Sequence, residues 1–194
     1  MALRRHQAVS HSSMLAIYVA AAVSDIRDVH CTGAASEDTA RLFEAINASN
    51  VGDHILIHAR CVVSDTICLK GDRTYSGDSR TGTVLEQAPA QNLPALLASD
   101  TWCHNFAWTG APISLSRITL DAASSSNNGT VALMLRSWQS VVHDVHVKNA
   151  ASDGIRVTNL ARDGVTGLTT SQVNGYISNV FVEQSGGCGV HVLD

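Results

Sequence analysis

The chain has 194 residues, of which 45% are apolar and 15% are charged, and its net charge is −4. This length allows one domain with a substantial core, while the small share of charged residues disfavours a helical bundle, whose exposed faces need Glu and Lys. The 13 Lys and Arg are scattered, so no basic stripe forms and we expect no nucleic-acid partner.

The first segment, residues 1–24, has features of an export signal. Arg4 and Arg5 make a basic start, residues 14–23 form a short apolar run, and residues 22–24 resemble a cleavage site. The run is too short to span a bilayer, so we expect no membrane partner. Export would make the protein secreted or extracellular, and a disordered extension is the alternative.

Residues 25–50 predict a short strand followed by a helix. Residues 25–29 are extended in character, and Ser36 is placed to cap the helix after a turn. The helix is expected to end between residues 47 and 52. Its apolar face consists of Leu42, Phe43 and Ile46.

After this helix, short runs rich in β-forming residues alternate with clusters of Gly, Asn, Asp and Ser. The predicted strands are 54–58, 66–69, 83–85, 113–120, 131–135, 141–147, 155–157, 177–182 and 190–193.

The most specific feature of the sequence is an internal repeat. Residues 142–159 align without a gap on residues 177–194, at an offset of 35. Two looser matches precede them. Residues 116–121 match residues 143–148 at an offset of 27, and residues 130–133 match residues 154–157 at an offset of 24. An extra loop at residues 160–176 explains the longer offset. Each unit is therefore a strand, a turn and a second strand, and like units stack to share a core.

The repeat predicts an all-β fold, a right-handed parallel β-helix (solenoid) with an N-terminal capping α-helix. It would occupy residues 25–194 and be incomplete at its C-terminus, because the chain ends inside a repeat strand. An antiparallel sandwich is the alternative, since Asn128-Gly129 and Asn174-Gly175 lie between predicted strands and suit hairpins.

The five cysteines do not have the spacing of a metal site, and an odd number excludes complete pairing within the chain. We expect the cysteines to be free thiols that are buried in the core as small apolar residues. If the chain is exported, the alternative is a Cys61–Cys68 bridge. The cysteines are Cys31, Cys61, Cys68, Cys103 and Cys188.

A family pattern runs through much of the chain. It comprises Asp28-Val29, Gly33-Ala34, Glu37-Asp38-Thr39, Leu69-Lys70-Gly71 and Gly77-Asp78-Ser79-Arg80. These residues resemble the N-terminal part of the pectate-lyase-like superfamily, whose members are right-handed parallel β-helix proteins. The resemblance covers roughly residues 25–194.

The resemblance implies a secreted carbohydrate-active protein, either a polysaccharide lyase or a glycoside hydrolase that acts on an acidic polysaccharide. A lyase of this family could use calcium. The alternatives are a non-catalytic carbohydrate-binding or structural module, similar to a tailspike and able to form a homotrimer, or an inactive fragment.

Strand alternation and the repeat offsets predict two columns of outward side chains. One column is Asp121, Lys148 and Glu183, and the other is Ala132, Arg156 and His191. An acid–base–acid column can bind a substrate carboxylate while a base removes the neighbouring proton in a β-elimination. The alternative is a salt-bridge ladder on the surface.

The residues of this candidate site take two roles. The predicted catalytic residues are Lys148, Arg156 and Glu183. The predicted substrate-binding residues are Asp121, His146 and His191. We expect no metal ligands among them.

Two further features suggest where a sugar could bind. Trp102, Trp108 and Trp138 can each serve as a platform for a sugar ring, or pack in the core or in loops. Residues 160–176 interrupt the repeat, and loops on a rigid scaffold often carry binding function. We therefore expect a groove beside this loop.

Overall fold

The computed structural model describes residues 24–123, 125–170 and 175–193. The predicted export signal lies outside these residues, except for Ser24. Neither helix of the described part of the chain is long and apolar enough to cross a bilayer.

The strands form two sheets in which all ladders are parallel. The nine-stranded sheet contains β1 (Ile26–His30), β2 (His54–His58), β3 (Arg60–Val63), β5 (Arg73–Gly77), β6 (Val84–Gln87), β8 (Ile113–Asp121), β10 (Val141–Lys148), β12 (Tyr176–Ser178) and β13 (Phe181–Glu183). The five-stranded sheet contains β4 (Ile67–Leu69), β7 (Ala95–Ser99), β9 (Val131–Leu135), β11 (Ile155–Thr158) and β14 (Val190–Leu193). The helices are α1 (Ala35–Ala48) and α2 (Asp100–Cys103).

The predicted fold class, an all-β right-handed parallel β-helix, is wrong. The strands belong to two separate parallel sheets of nine and five strands, and two α-helices accompany them, which resembles an α/β arrangement. The repeat specifies which strands pair in parallel, but it does not specify how the sheets are arranged in space. The antiparallel alternative is also wrong, because every paired strand is parallel to its neighbour.

Helix α1 lies where the sequence predicts it and buries Leu42 and Ile46 in the core. The predicted cap is wrong: the helix begins at Ala35, and its N-cap residue Ala34 forms no side-chain cap bond. The buried carboxylate of Asp38 instead accepts hydrogen bonds from the turn before the helix and from Val62 N at 2.9 Å. This one side chain therefore ties α1 to β3.

The pairing register matches the offsets of 35 and 27 and corrects the offset of 24. Val141 pairs with Tyr176 and Ile155 with Val190, as the offset of 35 predicts, and His143 pairs with Ser116, as the offset of 27 predicts. In the five-stranded sheet, however, Ile155 pairs with Leu133, an offset of 22 rather than 24.

This difference changes one predicted column, because Arg156 pairs with Met134 and not with Ala132. Ala132 is completely buried, so it does not belong to an outward column.

Residues with a positive φ, in the left-handed region of the backbone, shift the alternation of buried side chains within the long strands. Asp144 has φ of 54°, and the buried positions on either side of it are Val142 and Val145, three residues apart. Arg117 occupies the equivalent place in β8, with φ of 53°. Beyond these residues His146 and Lys148 lie on the same face of the sheet.

Four of the five cysteines form disulfides, which corrects the expectation of buried free thiols. Cys31 is bonded to Cys61, and Cys68 is bonded to Cys103. The alternative Cys61–Cys68 bridge is also wrong. Cys188 is exposed and free. The two bonds join partners separated by 30 and 35 residues: the first connects the end of β1 to β3, and the second connects β4 to α2.

Candidate functional site

The first predicted column exists as a row across the nine-stranded sheet. Lys148 pairs with Asp121 on one side and with Glu183 on the other. The ammonium of Lys148 lies 3.1 Å from Asp121 Oδ2. Glu183 forms its ion pair with His146 Nε2, at 3.0 Å.

The remaining polar atoms of this row are also engaged. Asp121 accepts a hydrogen bond from Asn149 Nδ2 at 2.8 Å and is paired in register with Glu86. Glu86 in turn binds Arg60 through two hydrogen bonds, of 2.6 and 2.7 Å. The charged groups of the row bind one another and do not converge on a shared empty position.

Arg156 and His191 lie on the other sheet and meet at Asp153. Asp153 Oδ2 accepts a hydrogen bond from Arg156 Nε at 2.7 Å and lies 2.9 Å from His191 Nδ1. Asp153 Oδ1 accepts the backbone N–H of Cys188. Burial alone would raise the pKa of Asp153, but the bonds from Arg156, Cys188 and His191 outweigh it and hold the pKa below its ordinary value.

The six predicted site residues therefore form two separate groups. Each group consists of short bonds between neighbouring strands, and the two groups lie on different sheets. Asp153 stands one residue before Gly154 in the sequence, and nothing in that position indicates that it orients both Arg156 and His191.

A cleft of about 460 Å³ lies elsewhere, between α1 and the segment that follows β7. Its size is within the range of small-molecule sites. Arg162 contributes to its lining, so the groove expected beside the 160–176 loop is present. The residues that give it chemical character are Phe43, Asp65, Lys70, Asp100, Phe106 and Arg162.

An aromatic ladder leads from this cleft to the surface. His104 stacks on Phe106 with ring centroids 5.6 Å apart, and Phe106 stacks on Trp108 at 5.4 Å. Trp108 is 52% exposed, so one face of its ring remains for a ligand. Trp138 is also partly exposed, whereas Trp102 is buried.

Acidic and basic groups face each other in the cleft. Burial raises the pKa of the Asp100 carboxyl, against the opposing effect of its hydrogen bond from Thr101 N and of His104. Lys70 donates a hydrogen bond to Asn47 O at 3.1 Å, and the guanidinium of Arg162 lies 5.9 Å from the centre of the Trp102 ring. The cleft thus offers two cations and two carboxyl groups, Asp65 and Asp100, and burial raises the pKa of the second.

A buried arginine holds the walls of this cleft together. The Arg136 residue is completely buried, and its guanidinium donates hydrogen bonds to the carbonyl oxygens of Thr101, Phe106, Asn159 and Thr166. Thr101 lies in α2 and Phe106 in the aromatic ladder, while the other two carbonyls belong to the 160–176 loop and to the residue before it. Burial lowers the pKa of Arg136.

Direct bonds also connect the loop to the aromatic segment. Thr169 N donates to Ala107 O at 2.9 Å, and Asp163 N donates to Asn105 Oδ1 at 3.0 Å. The loop that interrupts the repeat is therefore part of the wall of the cleft.

Sequence reasoning identified Trp108 and the loop but missed Asp100, His104 and Phe106. A signal for the ladder was present, because rings recur at every second residue from His104 to Trp108. The importance of Asp100 depends on its burial, which has no sequence signature.

Comparison with protein-family models, with curated proteins and with solved structures finds no match to this chain. The resemblance to the pectate-lyase-like superfamily therefore stays a prediction from the quoted residues.

Proposed function

We propose that this protein binds an acidic polysaccharide in the cleft beside the aromatic ladder. The observation that carries this proposal is an aromatic stack that begins in the cleft at His104 and Phe106 and continues to the exposed Trp108, beside two cationic side chains of the cleft lining. Sugar rings present flat C–H faces that pack on aromatic rings, and uronate carboxylates bind arginine and lysine.

The geometry supports binding more strongly than β-elimination at the predicted column. A β-elimination needs a base and charge-neutralising groups around one substrate atom. Lys148 is paired with Asp121, Glu183 with His146, and Arg156 with Asp153. These pairs are what a surface ladder between strands requires.

Glycoside hydrolysis is a second candidate, favoured by one specific observation. Asp100 is largely buried and its pKa is raised, and Asp65 lines the same cleft. Glycosidases use a pair of carboxyl groups, one of which has a raised pKa and protonates the leaving oxygen.

Export to an oxidising compartment is part of the proposal. Disulfides persist outside the cytosol, and the chain has two of them. An extracellular location would bring the cleft into contact with plant or microbial polysaccharides.

The test is calorimetric titration with oligogalacturonate, oligoalginate and a neutral oligoglucan of equal length. We expect binding of the two acidic oligomers, loss of that binding in a Lys70→Gln, Arg162→Gln variant, and retention in an Arg41→Gln, Arg80→Gln variant. Equal affinity for the neutral oligomer, or no effect of the first variant, would contradict the proposal.

Activity is measured in the same samples. Incubation with each polymer and calcium, followed by absorbance of the unsaturated product, detects a lyase. New reducing ends that form without the unsaturated product, and that disappear in Asp100→Asn, would instead establish hydrolysis. A protein that only binds gives neither signal.

A further inference from the structure

A histidine cluster lies at the outer edge of the nine-stranded sheet, on different strands from the residues that line the cleft. β1 is the last strand of this edge and is paired with β2, so that His30 lies beside His58. Asp28 is two residues before His30 and thus on the same face of the strand. Asp78 follows β5, in the position next to His58.

The distances within this cluster are short. His58 Nε2 lies 2.8 Å from Asp28 Oδ1, and His58 Nδ1 lies 2.8 Å from Asp78 Oδ1. The rings of His30 and His58 are nearly parallel, with centroids 4.4 Å apart. One ligand atom from each of Asp28, His30 and His58 lies within 4.8 Å of the other two.

We propose that Asp28, His30 and His58 form a binding site for a divalent transition-metal ion such as Zn²⁺. Two imidazole nitrogens and one carboxylate oxygen are ligands that this class of metal prefers, and three protein ligands leave a position open. The site is independent of the polysaccharide cleft.

Asp78 lies where it can accept a hydrogen bond from a histidine that binds the metal. A histidine that binds a metal through one nitrogen commonly donates the N–H of the other to a carboxylate, and His58 Nδ1 faces Asp78 in this way. The metal would take the place of the proton between His58 Nε2 and Asp28 Oδ1, and that proton would pass to solvent.

Charge and access agree with this assignment. The carboxylates of Asp28 and Asp78 each lie beside one ring nitrogen of His58, so the cluster presents acidic oxygens to a cation. Asp28 and His30 are exposed, and both line a cleft of about 460 Å³ between β1 and α1.

A second group of side chains could compete for the metal ion in the test. Asp153, Cys188 and His191 also lie within 4.8 Å of one another, although Arg156 already occupies Asp153. The experiment therefore uses a Cys188→Ser protein treated with a chelator, so that no thiol competes for the ion.

The measurement is calorimetric titration of this protein with Zn²⁺ alone. We expect one ion per chain, loss of binding in His30→Gln and in His58→Gln, and retention in His54→Gln, the matched control on the same strand. Asp78→Asn should weaken binding roughly 10- to 100-fold. Absence of binding, or equal binding in His30→Gln and the control, would overturn the proposal.

A second readout covers the case in which a variant does not fold. In the Cys188→Ser protein, Zn²⁺ should shift the imidazole NMR signals of His30 and His58 and leave that of His143 in place. Shifts confined to other histidines would equally overturn the assignment. Neither measurement involves polysaccharide, so failure of the metal-site proposal can be distinguished from failure of the proposed function.

Discussion

Arg136 Nη2 donates a hydrogen bond to the carbonyl oxygen of Thr166 over a distance of 3.1 Å. Through this contact the residue that follows β9 of the five-stranded sheet holds the loop that carries Arg162. The same guanidinium binds the carbonyl of Phe106, so one buried side chain positions both a cationic wall and an aromatic wall of the proposed polysaccharide cleft.

Replacement of Arg136 should therefore affect both stability and binding. Arg136→Met leaves four carbonyl groups without their donor, and we expect a loss of about 3–5 kcal/mol in the free energy of unfolding. Urea denaturation measures this loss. The control is Arg41→Gln, since Arg41 forms only an exposed pair with Glu37 and a bond to His30 O. Equal stability of the two variants would contradict the assigned role.

Gly154 should not tolerate a side chain. A Cβ at this position would lie 2.5 Å from Val182 Cγ1 and 2.7 Å from Gly189 O, so backbone must move. We expect Gly154→Ala to destabilise the protein by about 1–3 kcal/mol. Gly167→Ala is the matched control, because no atom lies within 4 Å of its Cβ. Thermal denaturation measures the effect. Melting temperatures of both variants equal to that of the wild type would show that Gly154 does not approach Val182 and Gly189 this closely.

The Cys68–Cys103 bond should stabilise both the fold and the cleft. It closes a loop of 35 residues, for which chain-entropy reasoning gives about 3–4 kcal/mol. A Cys68→Ala, Cys103→Ala variant should lose this stability in urea and bind polysaccharide more weakly, since α2 adjoins the cleft. Cys188→Ser, which removes a free thiol, should leave both unchanged. A double variant as stable as this control would contradict the prediction.

Binding of the acidic polysaccharide should weaken as the pH rises. Burial raises the pKa of Asp100 above 3.8, so its neutral form persists to a higher pH than that of an exposed carboxyl. Once ionised, Asp100 repels a uronate and the dissociation constant increases. Calorimetry between about pH 4 and pH 7 measures this dependence. Asp100→Asn should flatten it, and an unchanged profile in that variant would assign the dependence to another group.

The sequence predicts local structure well where a periodic pattern is strong. The helical face of Leu42 and Ile46 located α1, and the aligned repeat located β10 and its neighbours with the correct offset of 35. It missed β5, whose residues Arg73–Gly77 are mostly polar, and β7, whose Ala and Leu residues suit a helix equally well. The overall class was wrong, because a repeat specifies pairing between strands and not the arrangement of two sheets.

The candidate site was harder to predict because it depends on contacts between distant segments. The column at Lys148 followed from alternation, yet the sequence did not show that its charges satisfy one another. Arg136 binds residues as far as 35 positions away, and its partners are backbone carbonyls, which leave no pattern in side-chain types. Asp28 and His58 are likewise 30 residues apart.

Trp108 is the exposed end of the aromatic ladder in the proposed polysaccharide site. The most direct measurement is the dissociation constant for oligogalacturonate in Trp108→Ala, compared with Phe181→Ala, which removes an aromatic ring of similar exposure from the nine-stranded sheet. The account predicts affinity roughly 10-fold lower in Trp108→Ala and unchanged in Phe181→Ala. Equal affinity in the two variants, or the reverse order, would contradict it.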